Sequence, residues 1–141
     1  MRSLPLLDAW TEAEEERWQI GFPQHEAGGL VTIAIVLQPG DRLAPHTDSA
    51  DELFVVVEGE VEIEAGGERR TIAAPGLATA PALVTHRVRN VGASEARIVA
   101  VFAAERVESV FERPVQPSGQ RELVTPLPPE VLEQLGLAGA A

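Results

Sequence analysis

Gly40–Gly59, GDRLAPHTDSADELFVVVEG, is the stretch that decides the fold. It places His46, Asp48 and Glu52 within seven residues, beside a tight turn and a run of β-branched residues. A strand sends alternate side chains to one face, so His46 and Asp48 point the same way. If the chain reverses through Ser49–Asp51, Glu52 opens the return strand beside them. Three groups able to bind a metal then converge from two neighbouring strands. A fourth arrives as His86, in PALVTHRVRN. On that segment His86, Val88 and Asn90 share one strand face, and Arg87 and Arg89 take the other. An inward His86 therefore brings Asn90 inward too, as a polar pocket would need.

Working outward, the flanking segments also read as short strands. Leu30–Leu37 (LVTIAIVL) is a continuous apolar run ended by Pro39-Gly40. Glu52–Glu58, Glu60–Glu64 and Glu68–Ile72 follow, separated by Gly59 and Gly66-Gly67, both strong turn signals. In Glu60–Glu64 the order Glu, Val, Glu, Ile, Glu gives one wet face and one dry one. Gly76, Pro81 and Asn90-Val91-Gly92 punctuate the next pair, and Ala96–Ala104 (ARIVAVFAA) closes the set. Many short strands with regular turns predict an all-β, antiparallel barrel or jelly roll.

The two site-bearing segments resemble the paired motifs of the cupin superfamily. The first motif runs Gly-x5-His-x-His-x3-4-Glu-x6-Gly, and Gly40, His46, Glu52 and Gly59 fall at those positions, with Asp48 where the second His stands. The second runs Pro-x-Gly-x2-His-x3-Asn, matched by Pro81, His86 and Asn90, with Leu83 in place of the Gly. The resemblance implies a cupin jelly-roll barrel with a metal centre. Small single-domain cupins include dioxygenases, sugar isomerases and epimerases, lyases, and proteins that only bind ligands. Cupins of this size are often dimers, so a homodimer is the implied assembly.

Composition bounds the chemistry. At 141 residues this is one domain, and with 45% hydrophobic but only 4% aromatic residues its core is Val, Ile, Leu and Ala. There is no Cys, which excludes disulfides, thiolate ligands and a Cys nucleophile. All eleven basic residues are Arg and there is no Tyr, so lysine Schiff bases and phenolic acid–base catalysis are unavailable. A net charge of −11 argues against nucleic acid and anionic membrane surfaces as partners. No apolar run has the length of a membrane span, and MRSLPLLDAWTEAEEE lacks a basic region followed by an apolar core. The default location is cytoplasmic, and the expected partner is a small-molecule substrate.

The chain divides into an arm at 1–29, a barrel at 30–111 and a tail at 112–141. Thr11 with Glu14 forms a capping box that predicts a short helix over Glu12–Trp18, with Trp10 and Trp18 as packing anchors on the barrel. Residues 112–129 hold Pro114, Pro117, Pro126, Pro128 and Pro129, which reads as an extended tail laid over a surface. Pro128-Pro129 then open a predicted helix, Glu130–Leu135. The tail's Val and Leu content predicts that it packs on the barrel or on a second subunit.

Imidazole plus carboxylate suits one divalent transition ion, Fe(II), Mn, Ni, Co or Zn. His46, Glu52 and His86 alone make a 2-His-1-carboxylate set with open positions, which fits non-haem Fe(II) oxygen chemistry. Asp48 has three readings: a fourth ligand that favours a harder ion such as Mn(II), a general base, or an inert neighbour. Proton competition for the imidazoles predicts that affinity falls below about pH 6.5. His25 reads most simply as an exposed loop residue, Arg42 as a solvated surface Arg, and Glu58 and Glu60 as turn-edge solvation. The leading expectation is a metal-dependent oxygenase, dioxygenase-like, acting on a small hydroxylated or aromatic molecule. The competitors are a redox-neutral isomerase or lyase, favoured if Asp48 is a base, and a non-catalytic ligand-binding module.

Overall fold

The computed structural model describes residues 18–20, 29–115 and 119–126. Regular structure among them is entirely β: β1 (Trp18–Ile20), β2 (Val31–Leu37), β3 (Arg42–Asp48), β4 (Glu52–Glu58), β5 (Glu60–Ala65), β6 (Glu68–Ala73), β7 (Gly76–Ala80), β8 (His86–Asn90), β9 (Ala96–Phe102), β10 (Val107–Val115) and β11 (Gln120–Thr125). They form two antiparallel sheets, ordered β1-β2-β9-β4-β7 and β11-β10-β3-β8-β5-β6. The expected antiparallel jelly roll is what these residues build. No helix among the described residues is long and apolar enough to cross a membrane.

The period of two in the sequence decides which side chains meet between the sheets. β4 turns Phe54 and Val56 inward, β9 turns Ala96, Ile98, Ala100 and Phe102 inward, and β5 contributes Val61 and Ile63. Large faces small across the ladder, with Phe54 opposite Ala100. Burying such a phenyl ring contributes about 1.5–3 kcal/mol. β2 is apolar on both faces for a specific reason. Val31, Ile35 and Leu37 enter the main core, while Ala34 and Val36 are buried on the other side against Val99. The outward Glu62 and Glu64 of β5 meet Arg89 and Arg87 of β8, at 3.3 Å and 2.7 Å.

Gly59, which closes the first motif, is required twice over. Its φ is +81°, and a Cβ there would lie 2.7 Å from the carbonyl oxygen of Glu95. Leu83, which stands where the second motif has Gly, keeps the left-handed backbone with φ +64° and is 74% exposed. The loop before His86 is thus built in the geometry Gly would favour, at the cost of strain in Leu83.

Three expectations need correction. β4 does not lie beside β3: Ser49–Asp51 carries the chain across the barrel, so Glu52 approaches from the facing sheet. Residues 112–115 and 120–125 are not an extended tail laid over a surface, since β10 runs to Val115 through Pro114 and β11 pairs with it in the six-stranded sheet. The proline count misled because Pro114 sits on an exposed strand position, where a missing N–H is tolerated. Trp18 belongs to a strand paired with β2, not to a helix. The remainder of that predicted helix, Trp10, His25, and the predicted helix at 130–135 lie outside the described residues.

Candidate metal centre

β3 would not deliver His46 to the interior by simple alternation. Leu43 packs against the core, and His46 lies three residues on, an odd step that would turn it outward. The ladder with β8 shows how this is avoided. Leu43 faces Val88 and His46 faces His86, so β3 carries one residue more than its partner between these pairs. This is a β-bulge, and Pro45, which has no N–H to lose, lies within it. The bulge resets the parity, after which His46 and Asp48 both point inward as the sequence predicts.

His46, Asp48, Glu52 and His86 come together and are all buried, at 5%, 2%, 4% and 2% exposure. One potential ligand atom from each lies within 4.8 Å of the others. His86 Nε2 is 2.8 Å from Glu52 Oε2 and 3.1 Å from Asp48 Oδ2, and His46 Nε2 is 3.5 Å from Asp48 Oδ2. Both imidazoles donate Nδ1–H to a backbone carbonyl two residues back, His46 to Ala44 at 2.7 Å and His86 to Val84 at 3.0 Å. Those bonds orient the rings and leave each Nε2 facing the cluster, as ligating histidines require.

The electrostatics follow from burial and mutual contact. Burial pushes Glu52 up to about 7, against the pull of its hydrogen bond with His86. Burial alone would raise Asp48 as well, but the two imidazoles and the Ser109 hydroxyl hold it well below the usual carboxylate range. Burial would lower His86, yet the Asp48 and Glu52 carboxylates beside its Nε2 win and raise it to about 10. A single hydrogen on His86 Nε2 cannot serve both acceptors, and Glu52 is the nearer. Asp48 Oδ2 is left buried with no hydrogen-bond partner. Two imidazole nitrogens, two carboxylates and one orphaned oxygen at their centre fit a cation. The cluster points to a divalent metal ion, whose charge the two carboxylates balance.

The cluster borders a cavity of about 50 Å³ lined on its apolar side by Ile33, Ile35, Leu43, Phe102, Phe111 and Leu123. A water needs roughly 10–15 Å³, so a ligand of a few heavy atoms fits without a wall moving. Phe111 stacks on His46 with ring centroids 4.4 Å apart, and Phe54 meets His86 edge-on at 5.9 Å. Four wall residues, Ser109, Phe111, Leu123 and Thr125, come from β10 and β11 and were missed in the sequence. The available signal was the alternation Val107, Ser109, Phe111 against Glu108, Val110, Glu112, obscured by the prolines that follow.

Other sequence candidates fall elsewhere. Asn90 is inward and buried, but its amide donates to the carbonyls of Leu37 and Ser94 at 2.9 Å and 2.8 Å while its carbonyl accepts from Gly92 N at 2.9 Å. It staples the loop after β8, about 13 Å along the strand from His86, and is not part of the pocket. Arg42, Glu58 and Glu60 are exposed, as expected.

Comparison with known proteins agrees with this geometry. Residues 34–102 match the family model for the cupin domain, a segment that contains all four clustered residues but stops before β10. The chain is 40% identical over 72 residues to the polyketide synthase CurC of Streptomyces cyaneus, covering 50% of this chain and 46% of that protein. It thus spans about half the length of this curated relative. Among solved structures, TT1209 from Thermus thermophilus superposes with a TM-score of 0.62 at 28% identity, covering 74% of this chain and 98% of that one. Oxalate oxidase in complex with the substrate analogue glycolate superposes with a TM-score of 0.67 at 21% identity, covering 99% of this chain and 75% of the other. With both motifs inside the matched segment and the double-sheet barrel around them, residues 34–102 form a cupin domain.

Proposed function

We propose that this cupin is a divalent-metal-dependent oxygenase acting on a small hydroxylated or aromatic molecule. The observation that carries the reading is the buried donor cluster, with Asp48 Oδ2 unpartnered at its centre and a mostly apolar cavity beside it. His46 and His86 would hold the ion through Nε2, and Glu52 and Asp48 through one carboxylate oxygen each. An ion bound there supplies Lewis acidity and open coordination positions. The chain's own residues do the rest. Two carboxylates offset the ion's charge, the backbone carbonyls of Ala44 and Val84 keep both rings aimed, and the apolar walls exclude bulk water. Asp48 is a poor general base because its carboxylate is held well below the usual range, which favours its reading as a ligand. That weakens the redox-neutral alternative, which leaned on Asp48 as the base. The small cavity favours a substrate that inserts only its oxygen-bearing end.

A second reading has one observation in its favour. A relative 40% identical over 72 residues is named as a polyketide synthase, and a poly-β-ketone is also an oxygen-rich ligand for such an ion. On that reading the reaction is a redox-neutral ring closure.

Anaerobic purification with metal analysis, followed by oxygen uptake on catechols, flavonols, hydroxy acids and poly-β-ketones, separates the two. Metal-dependent oxygen consumption with one of them supports the oxygenase. Metal-dependent turnover that proceeds equally without oxygen selects the ring closure. Absence of stoichiometric metal in the wild type overturns both.

A further inference from the structure

We propose that Ser109 is a positioning residue that turns Asp48 into a one-oxygen ligand, so that the Asp48–Ser109 pair replaces the histidine found at position 48 in the family motif. The proposal rests on the metal-centre reading above. In the ladder between β3 and β10, Ser109 lies directly opposite Asp48, and both side chains are buried, at 8% and 2% exposure. The Ser109 hydroxyl donates to Asp48 Oδ1. That leaves Oδ2 alone turned toward His86 Nε2 at 3.1 Å and His46 Nε2 at 3.5 Å.

The pairing answers a problem that the substitution creates. A histidine carries its distal nitrogen further from the backbone than an aspartate carries either oxygen. The shorter side chain also has two equivalent donors and a soft terminal torsion, so by itself it can chelate with both oxygens or turn aside. A hydroxyl fixed on the neighbouring strand removes those options by occupying one oxygen and setting the carboxylate plane. If Asp48 and Ser109 were only a polar pair filling the barrel, the second oxygen would be expected to find a partner too. It is the single buried side-chain oxygen or nitrogen without one among the described residues. β10 lies beyond the segment that matches the cupin domain, so the hydroxyl is a contribution of this chain outside the motifs.

The test is Mn(II) and Co(II) titration of the metal-free full-length protein, with the spin-resonance spectrum of the Mn(II) form and the visible spectrum of the Co(II) form recorded at saturation. Outer-shell partners of this kind are worth roughly 10–100-fold in affinity. Ser109→Ala is expected to weaken binding by that factor and to alter both spectra, while Ser109→Thr, which keeps the hydroxyl, restores both. Should the alanine variant fail to fold, Ser109→Thr against Ser109→Val makes the same comparison at constant shape. In an Asp48→His background, Ser109→Ala is expected to change affinity by less than about twofold, because the imidazole needs no such partner. Wild-type affinity and spectra in Ser109→Ala or Ser109→Val overturn the proposal while leaving the metal centre standing. So does a loss from Ser109→Ala that is as large in the Asp48→His background as in the wild type. A wild-type protein that binds neither ion removes the metal centre and the proposal with it.

Discussion

Ion binding to this cluster is expected to release protons over a pH range well above that of free imidazole. The metal-bound form needs His86 Nε2 and Glu52 deprotonated. In the metal-free protein His86 keeps its proton up to about 10 and Glu52 up to about 7. Proton and ion compete for the same atoms, so affinity rises with pH while either group is still protonated. Between pH 7 and 10 His86 has a proton to lose, and the dissociation constant should fall about tenfold per pH unit. Below pH 7 Glu52 adds a second, and the slope should approach about 100-fold per unit. From pH 9 to pH 7 the loss of affinity is therefore about 100-fold, and from pH 7 to pH 5 it approaches 10⁴-fold. The onset near pH 6.5 expected from the sequence is displaced because both carboxylates hold the His86 proton in place. Chelator competition with Mn(II) at constant ionic strength measures the slope, and calorimetry in buffers of different ionisation enthalpy counts the released protons. A dissociation constant that stays flat between pH 7 and pH 9 would refute the reasoning, since His86 would then lose no proton to the ion.

Three further outcomes are expected. Asp48→Asn should retain the ion at roughly 10–100-fold lower affinity and lose most turnover, and metal content and rate measured on one preparation check this. Leu83→Gly should raise stability by about 0.5–1 kcal/mol in urea unfolding, because relief of left-handed strain exceeds the added entropy of the unfolded glycine and the exposed side chain has little packing to lose. Asn90→Ala should cost about 2–4 kcal/mol by leaving buried backbone groups without their partner, and ion affinity should not change, because Asn90 braces a loop and does not face the cluster.

Much of this protein is legible in the sequence because it is local. Strict alternation in Glu60–Glu64 and His86–Asn90 determines which residues face inward, since a strand's period leaves no other choice. Gly59 is dictated by a turn whose φ few other residues adopt. The spacing of His46, Asp48 and Glu52, with His86 later, is enough to name all four members of the cluster. What tertiary structure alone decides are relations between distant strands. The parity of His46 depends on a bulge that exists only relative to β8. Glu52 faces Asp48 from the opposite sheet because β4 pairs with β7 and β9, not with β3. The partner that sets the orientation of Asp48 is Ser109, 61 residues away on a strand whose prolines hid it. Local periodicity says which face a side chain takes; only closure of the barrel says what it finds there.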